Sequence, residues 1–298
     1  MQASDIRRVT VVGSGTMGHG IGQVFAMGGY SVVLHDTTED EIAHAFARIQ
    51  GNLAELVDLD AMTSQEAAMT LSRISGTSVL EQAVADADLV IEAVFEKIEL
   101  KQDVFRQLDE ICKPDCILAT NTSAISITSI ASVTKRPEMV VGTHFFSPVP
   151  MMRLCELIRG LQTSDATLDA AIEYAHSIGK ESVVVQKDVA GFIANRVGLA
   201  MTVVAISLVE RGVATPEDID KAMKLGFAHR MGPLETSDLT GIDVLFNALK
   251  AIYNETQDER YAPPEIMQRM VAASLLGRKT GKGWYDYSSG EQVSYWKL

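Results

Sequence analysis

Two ionisable residues lie among apolar neighbours in the middle of the sequence and could together perform acid–base chemistry. His144 falls near the end of the run MVVGTHFF, and Glu156 follows twelve residues later within LCELI. Glu156 alternates with Leu154 and Ile158, so in a strand its carboxylate would share their apolar face. A buried carboxylate needs a partner, which an adjacent strand carrying His144 would supply. Such a pair would exchange a proton with a substrate hydroxyl while Glu156 orients the ring. A core histidine and an unrelated surface carboxylate would give the same pattern.

A second stretch with chemical meaning lies near the N-terminus. VTVVGSGTMGHGIGQ carries Gly13, Gly15 and Gly18 in the spacing G-x-G-x-x-G, after a β-branched run and before a predicted helix. This context is typical of a dinucleotide-binding loop. Gly13 permits a tight turn, Gly15 lets a pyrophosphate approach the backbone, and Gly18 lets the helix pack against the strand. The N–H groups at the start of the helix would attract the anion.

Asp36 indicates which dinucleotide the loop would bind. It ends a second predicted strand, Ser31–His35, and lies eighteen residues after Gly18. A carboxylate there can accept both ribose hydroxyls of the adenosine, whereas it would repel a 2′-phosphate. We therefore expect NAD and regard NADP as the poorer cofactor. The other interpretation of Asp36 is a turn residue at a strand end.

These residues require a scaffold, and the first part of the chain alternates strand-like with helix-like segments. Strands are predicted at 6–12, 31–35, 88–94, 116–120, 139–145, 153–158 and 182–186, and helices at 16–28, 39–59, 100–112 and 165–178. This alternation predicts an α/β fold, with parallel strands joined by crossover helices in a Rossmann-type doubly wound sheet. Ligands of such sheets bind at the C-terminal ends of the strands, where His144 is predicted to lie.

The strand signal ends near Lys187. We expect residues 1–187 to form an NAD-binding Rossmann domain and residues 188–298 a smaller all-helical domain. Helices are predicted at 192–211, 215–226, 239–253 and 264–276. The first of these is apolar on nearly all faces, so it lies at the centre of its own domain, faces a second copy, or both. A homodimer through the helical domain is therefore expected.

Composition excludes several classes of function. The chain has 26 basic and 39 acidic side chains, a net charge of −13, which argues against nucleic-acid and anionic-membrane binding. The stretch 197–209 is apolar but too short to span a bilayer, and no secretory signal is recognised. The odd count of three cysteines, Cys112, Cys116 and Cys155, fits a reducing compartment and packing roles. We expect a cytoplasmic protein without a bound metal.

The whole chain resembles the 3-hydroxyacyl-CoA dehydrogenase family. The resemblance covers nearly its full length and rests on VVGSGTMGHGI, DLVIEAVFE, LATNTSAISIT, GTHFFSPVPMMRLCELIRG, GFIANR, EDIDKAMKLG, MGPLETSDLTGID and LGRKTGKGWYDY, in the family's order. It implies an NAD-dependent oxidoreductase that interconverts short 3-hydroxyacyl-CoA and 3-oxoacyl-CoA substrates, such as 3-hydroxybutyryl-CoA and acetoacetyl-CoA. It also implies a place in fatty-acid or butyrate metabolism.

The resemblance implies roles for particular residues. His144 would be the catalytic acid and base, with Glu156 as its paired carboxylate. Ser123 and Asn195 would hydrogen-bond the reacting region of the substrate and help to place His144. The residues implied at the cofactor are Gly13, Gly15, Thr16, Met17, Gly18, Asp36, Ala93, Glu96, Lys101 and Asn121. Asn195 as a helix cap, Ser123 as a turn residue and Lys101 as a solvated charge are the structural alternatives.

The sequence departs from the family pattern at two places. Relatives commonly read HFFNP, whereas Ser147 stands at the asparagine position here, so its implied substrate contact would be longer. Relatives also carry lysines for the CoA phosphates after the second strand. This chain has Gly51 and Glu55 there, followed by Asp58, with Arg48 as the nearby base. Charge pairing with CoA phosphates should therefore be weaker at this segment.

Two alternatives follow from these departures. The chain could be a dehydrogenase of a hydroxy acid that carries no CoA, or a non-catalytic NAD-binding structural relative. The intact set of Ser123, His144, Glu156 and Asn195 argues against the second alternative. A single enzymatic activity is expected, since no hydratase segment is recognised.

Overall fold

The computed structural model describes residues 5–296. The chain divides into two compact units between Val189 and Ala190. This division lies two residues after the predicted boundary at 187/188. The first unit carries an eight-stranded sheet and the second is mainly helical. The predicted fold class, a Rossmann-type sheet followed by a smaller helical part, is confirmed.

The sheet of the first unit has the strand order β3-β2-β1-β4-β5-β6-β7-β8. The strands are β1 (Arg8–Val12), β2 (Ser31–His35), β3 (Ile74–Thr77), β4 (Leu89–Glu92), β5 (Ile117–Thr120), β6 (Val140–Phe145), β7 (Leu154–Ile158) and β8 (Glu181–Val185). The chain order reverses between β1 and β4, which is the switch point where open α/β sheets bind ligands. Strand β3 was not predicted, because ISGT offers one large apolar side chain to a pattern search.

The expectation of purely parallel strands is wrong at one pair. β6 and β7 run antiparallel, with His144 directly opposite Glu156, whereas the other pairs in this sheet are parallel. The connection 146–153 is too short for a crossover helix, and only antiparallel neighbours can be joined by so short a turn. The antiparallel register therefore places the side chains of His144 and Glu156 next to each other on one face of the sheet.

Seven helices of the described first unit flank the sheet. They are α1 (Gly18–Met27), α2 (Glu39–Asp58), α3 (Ser64–Ser72), α4 (Leu80–Val84), α5 (Ile98–Ile111), α6 (Ile127–Ala131) and α7 (Asp165–Ser177). Thr38 caps α2, and Thr63 forms a capping box with Glu66 at the start of α3. Such caps satisfy N–H groups that the helix leaves unpaired. No side chain caps α1, whose first turn follows the glycine loop.

The core of the first unit lies between the sheet and its helices. Val9, Val11, Leu34, Leu89 and Ile91 of the central strands are fully buried in it. Parallel strands covered on both faces read as continuous apolar runs, as these do. The strand ends, and the loops that follow them, are thereby held at fixed positions along one edge of the sheet.

The second unit contains helices α8 (Ala194–Glu210), α9 (Pro216–Phe227), α10 (Pro233–Thr240), α11 (Ile242–Thr256) and α12 (Glu265–Ala272). The single helix predicted at 239–253 is wrong at its start. The chain breaks at Gly241, whose φ of 104° no helix accommodates, and α10 ends there. The predicted all-helical unit also holds a two-stranded ribbon, Tyr285–Asp286 with Val293–Ser294.

Buried carboxylates join the family motifs of the second unit. Asp238 accepts hydrogen bonds from the backbone N–H groups of Trp284 and Tyr285, and the Tyr285 hydroxyl donates to Asp220. Asp220 also accepts the N–H groups of Leu234 and its neighbour at the start of α10. Burial raises the pKa of both carboxyls, against the lowering effect of these hydrogen bonds. These motif residues therefore hold loops and helix starts together.

Candidate active site

A cavity of about 300 Å³ opens where β1, β4, β5 and β6 end. Its walls come from the loops that follow these strands, which is the ligand-binding edge of an open α/β sheet. The lining residues are Met17, Ala93, Val94, Glu96, Asn121, Ser123, His144, Phe145, Phe146 and Ser147. Seven of the predicted site residues (Met17, Ala93, Glu96, Asn121, Ser123, His144, Ser147) therefore line one cavity.

The imidazole of His144 and the carboxylate of Glu156 are in contact beside this cavity. His144 Nδ1 lies 2.8 Å from Glu156 Oε2, and the two side chains are 7% and 1% exposed. A carboxylate only accepts, so Nδ1 carries the proton and donates it to Glu156. The Phe146 ring packs against the imidazole with a centroid distance of 4.4 Å. The ring is thus fixed in orientation and tautomer where it borders the cavity.

The glycine loop has the geometry that close approach of a ligand requires. Gly13 has φ of 94°, and a Cβ built on it would lie 2.7 Å from the carbonyl oxygen of Ala93. A Cβ at Gly18 would collide with the Gly13 carbonyl at 1.7 Å, so the helix packs directly on the turn. A Cβ at Gly15 would meet nothing within 4 Å, so this glycine borders open space. Thr16 beside it is exposed.

Asp36 is held by the glycine loop. Its Oδ2 accepts hydrogen bonds from the Ser14 N–H at 2.7 Å and the Ser14 hydroxyl at 2.9 Å, and its Oδ1 accepts the Thr37 N–H. Partial burial opposes ionisation, but these hydrogen bonds outweigh it, and the pKa of Asp36 lies below its ordinary value. Asp36 is therefore a fixed negative charge next to the loop. Sequence reasoning did not single out Ser14.

Asn121 and Ser123 are positioned by different partners. Asn121 Oδ1 accepts the backbone N–H of Phe145 at 2.9 Å, which ties the end of β5 to the end of β6 next to His144. The Ser123 N–H and hydroxyl both donate to Glu96 Oε1, at 2.8 and 3.3 Å. Glu96 therefore shapes the loop that presents Ser123 to the cavity.

Lys101 was predicted to line the cofactor cleft, with a solvated charge as the alternative, and the solvated alternative is wrong because the side chain is buried. Its side chain is 1% exposed and is absent from the cavity wall. Its Nζ lies 2.7 Å from Glu92 Oε1 and 3.3 Å from Glu96 Oε2. The buried ammonium of Lys101 on α5 thus contacts the buried Glu92 and the cavity-lining Glu96.

The remaining predicted residues lie as follows. Ser147 is in the cavity wall and precedes Pro148 through a cis peptide bond. Asn195 belongs to the second unit, where it lies in the first turn of α8; the cap of that helix is Ile193, so Asn195 is not its cap. Cys112, Cys116 and Cys155 are buried thiols, and burial raises the pKa of Cys155.

Within 5–296, no cluster of three or more His, Cys, Asp or Glu side chains could hold a metal ion. No helix of that range combines the length and apolar content needed to cross a membrane.

Family models match both units. Residues 8–189 match the 3-hydroxyacyl-CoA dehydrogenase NAD binding domain, and residues 191–287 match the C-terminal domain of the same family. The chain belongs to the 3-hydroxyacyl-CoA dehydrogenase family. The resemblance seen in the sequence motifs is confirmed, as is the presence of an NAD-binding domain.

Individual relatives are similar over almost the whole chain. A 3-hydroxybutyryl-CoA dehydrogenase of Clostridioides difficile is 46% identical and covers 94% of this chain and 99% of its own. One of Bradyrhizobium diazoefficiens is 43% identical over 98% of this chain and 99% of its own. The crystal structure of (S)-3-hydroxybutyryl-CoA dehydrogenase from Ralstonia eutropha superposes with a TM-score of 0.91 at 42% identity, covering 95% of this chain and 99% of that one.

The residues present fit a dinucleotide of the NAD type. The open space beside Gly15 leaves room for a pyrophosphate, and the uncapped start of α1 offers N–H donors to it. The fixed charge of Asp36 stands at the strand end where an adenosine ribose is bound in such sheets. A 2′-phosphate would meet that charge and also the acidic first turn of α2, which contains Glu39, Asp40 and Glu41.

Proposed function

We propose that this chain is an NAD(H)-dependent dehydrogenase that interconverts short 3-hydroxyacyl-CoA and 3-oxoacyl-CoA, with 3-hydroxybutyryl-CoA and acetoacetyl-CoA as the preferred pair. The observation that carries the proposal is the buried contact between His144 Nδ1 and Glu156 Oε2, at 2.8 Å, with the imidazole in the cavity wall. The similar 3-hydroxybutyryl-CoA dehydrogenases support the choice of substrate.

His144 is the proton donor in the reductive direction and the acceptor in the oxidative one. During reduction, the proton on the second ring nitrogen, Nε2, passes to the C3 oxygen as the carbonyl carbon gains a hydride. The imidazole is then neutral, and Glu156 still holds the proton at Nδ1 by hydrogen bonding. In the reverse direction, the carboxylate stabilises the imidazolium that forms. Bound NADH supplies the hydride, or NAD accepts it.

Ser123, Asn121 and Ser147 shape the rest of the site. We assign Ser123 and Asn195 to hydrogen bonds with the reacting region of the substrate, and Asn121 to the nicotinamide side. The assignment of Asn121 is supported by its hydrogen bond to the Phe145 backbone, which places Asn121 next to the catalytic histidine. Ser147 has a shorter side chain than the asparagine common at this position, so its polar contact with the substrate is longer.

The cofactor is assigned to the glycine loop and the strand ends around it. Gly13, Gly15, Thr16, Met17 and Gly18 form the pyrophosphate side, and Asp36 accepts the ribose hydroxyls. Ala93 and Glu96 border the nicotinamide half through the cavity wall. Lys101 affects the nicotinamide half of the site indirectly, through its ion pair with Glu96.

The tail of the substrate meets an acidic surface. Helix α2 has Glu55 and Asp58 towards its C-terminal end, and Arg48 is the base about two to three turns earlier. The phosphates of CoA are therefore weakly held there, and binding energy comes from the acyl and pantetheine part. Because the acidic surface favours CoA phosphates so little, a hydroxy acid without CoA is the second candidate substrate.

We further propose a cytoplasmic homodimer formed through the second unit. Val197 and Val204, seven residues apart on one face of α8, are 67% and 60% exposed, whereas Leu199 and Ile206 on another face are buried. Exposed apolar side chains in a row mark an interaction surface. Sedimentation of the Val204→Glu variant should show monomers; an unchanged dimer would place the interface elsewhere.

The test is an NADH-oxidation assay with acetoacetyl-CoA, longer 3-oxoacyl-CoA homologues and free acetoacetate in parallel. The proposal expects the highest kcat/KM with acetoacetyl-CoA. Equal or better turnover of the free acid would support the candidate without CoA. Absence of turnover with every substrate, while NADH still binds, would support a non-catalytic role and refute the proposal.

A further inference from the structure

We propose that Glu92, acting through Lys101 and Glu96, is a positioning residue for the loop that carries Ser123. The inference rests on the proposed function, because Ser123 is assigned to the substrate there. None of the sequence motifs singled out Glu92 for a role. The side chain of Glu92 does not line the cavity. Its effect reaches the cavity through Lys101 and then Glu96, so three charged side chains are connected in series.

The first member of the chain is a fully buried carboxylate. Glu92 is the last residue of β4 and is 0% exposed. Its Oε1 accepts from Lys101 Nζ at 2.7 Å and from the Val94 N–H at 2.6 Å, while its Oε2 accepts from the Thr120 hydroxyl at 2.6 Å. An ionised carboxylate this deep needs a cation and hydrogen bonds on both oxygens, and Glu92 has both.

The second member transfers the effect towards the cavity. Lys101 Nζ, also buried, contacts Glu92 Oε1, the Val94 carbonyl at 3.3 Å and Glu96 Oε2 at 3.3 Å. Without Glu92 the ammonium would have the single anion Glu96, at the longer distance, and would be free to change its rotamer. Glu92 therefore fixes the point from which Lys101 holds Glu96.

The third member organises the substrate loop. Glu96 Oε1 accepts four hydrogen bonds, from the Thr122 hydroxyl at 2.6 Å, the Ser123 N–H at 2.8 Å, the Ala124 N–H at 3.1 Å and the Ser123 hydroxyl at 3.3 Å. Its side chain is 39% exposed and lines the cavity. Hydrogen bonds to an ionised carboxylate are about twice as strong as those to a neutral acceptor, so the charge of Glu96 strengthens its hold on this loop.

Lys101 favours the ionised form of Glu96. Partial burial raises the pKa of Glu96, but the Lys101 ammonium and the hydrogen bonds from the loop outweigh burial, and the net pKa lies below its ordinary value. Loss of the ammonium would raise that pKa and weaken the grip on residues 122–124. A displacement of Ser123 by about 1 Å is enough to cost about 100-fold in rate.

The experiment uses three test variants, which are Glu92→Gln, Lys101→Met and the double variant that combines these two substitutions. Asp109→Asn is the control. Asp109 is also on α5 and forms a buried ion pair with Arg136 at 2.8 Å, away from the cavity, so it is a matched control for loss of a buried charge. The readouts are kcat with acetoacetyl-CoA and NADH, its pH profile, and Tm.

We expect kcat of Glu92→Gln and of Lys101→Met to fall about tenfold or more. The acidic limb of the kcat profile should move to higher pH in Lys101→Met, because Glu96 protonates more readily there. The double variant should recover Tm relative to Glu92→Gln, since it leaves no buried ammonium that has lost its nearer anion, yet keep the low kcat. Asp109→Asn should lose Tm and keep kcat within about twofold.

Recovery of kcat together with Tm in the double variant would overturn the proposal, as would an unchanged kcat and pH profile in Lys101→Met. If Glu92→Gln does not fold, Lys101→Met and the double variant still decide the question. A wild-type protein without turnover would instead refute the proposed function, so the two failures are distinguishable.

Discussion

Replacement of Glu156 by glutamine removes one charge from the proposed acid–base pair and little else. The amide is close in size to the carboxylate, and its oxygen can still accept the proton of His144 Nδ1. What is lost is the difference between a charged and a neutral acceptor, at a contact of 2.8 Å between side chains that are 7% and 1% exposed. Near-complete burial means that water screens this contact little.

The size of the effect follows from that difference. A hydrogen bond to a charged group is worth about 1.5–3 kcal/mol and one to a neutral group about 0.5–1.5 kcal/mol, so the difference is about 1–1.5 kcal/mol. We therefore expect kcat to fall by about fivefold to tenfold, since each 1.4 kcal/mol is about a factor of ten in rate. Binding of NADH should be unchanged, because Glu156 does not border the cavity.

The assay is steady-state NADH oxidation with saturating acetoacetyl-CoA, with NADH binding followed by fluorescence and folding by Tm. Glu181→Gln is the control. Glu181 lies on the adjacent strand β8 and pairs with Arg153 at an exposed position, so its loss should leave kcat unchanged. A kcat of Glu156→Gln within twofold of the wild type would refute the reasoning, as would a loss explained by weaker NADH binding.

Three further predictions concern the cofactor, the connection between β6 and β7, and the substrate tail. Asp36→Ala should weaken NADH by about 1–3 kcal/mol, through the lost ribose acceptor, without making NADPH the better cofactor; comparison of kcat/KM for both nucleotides checks this. Lys180→Met should lower the free energy of unfolding by about 1–3 kcal/mol in denaturant titration, since its buried Nζ holds the carbonyls of Val149 and Met152 at 2.5 and 2.7 Å. For the wild type we expect a high KM for acetoacetyl-CoA that depends mildly on salt concentration. The Glu55→Lys variant should have a lower KM with a steeper salt dependence. A steep salt dependence in the wild type would show that other basic groups hold the CoA phosphates.

The parts of the fold that sequence predicted are those with strong local signals. The glycine loop needed φ of 94° at Gly13 and no side chain at Gly18, so its spacing was informative. The long apolar strands were recognisable because a continuous apolar run is also a strong local signal. The antiparallel pair of β6 and β7 was not predicted, because strand direction depends on the length of the connecting turn and not on the strand pattern.

The site was predictable where a polar residue interrupts an apolar strand. His144 and Glu156 stood out for this reason, and the register of the two strands, invisible in either one, brings them together. Glu92 carries the same signal, a carboxylate ending the apolar segment DLVIE, and was overlooked. The ion pairs of Lys101 were not predicted, because a helix pattern does not say whether a long cationic side chain reaches solvent or a buried anion.

The most direct test of the account is the structure of the protein with NAD(H) and acetoacetyl-CoA or its hydroxy product bound. We expect Nε2 of His144 to lie within about 2.6–3.2 Å of the C3 oxygen of the acyl group, with Nδ1 still bonded to Glu156. A substrate oxygen held by other groups, with the imidazole out of reach or turned from the carboxylate, would contradict it.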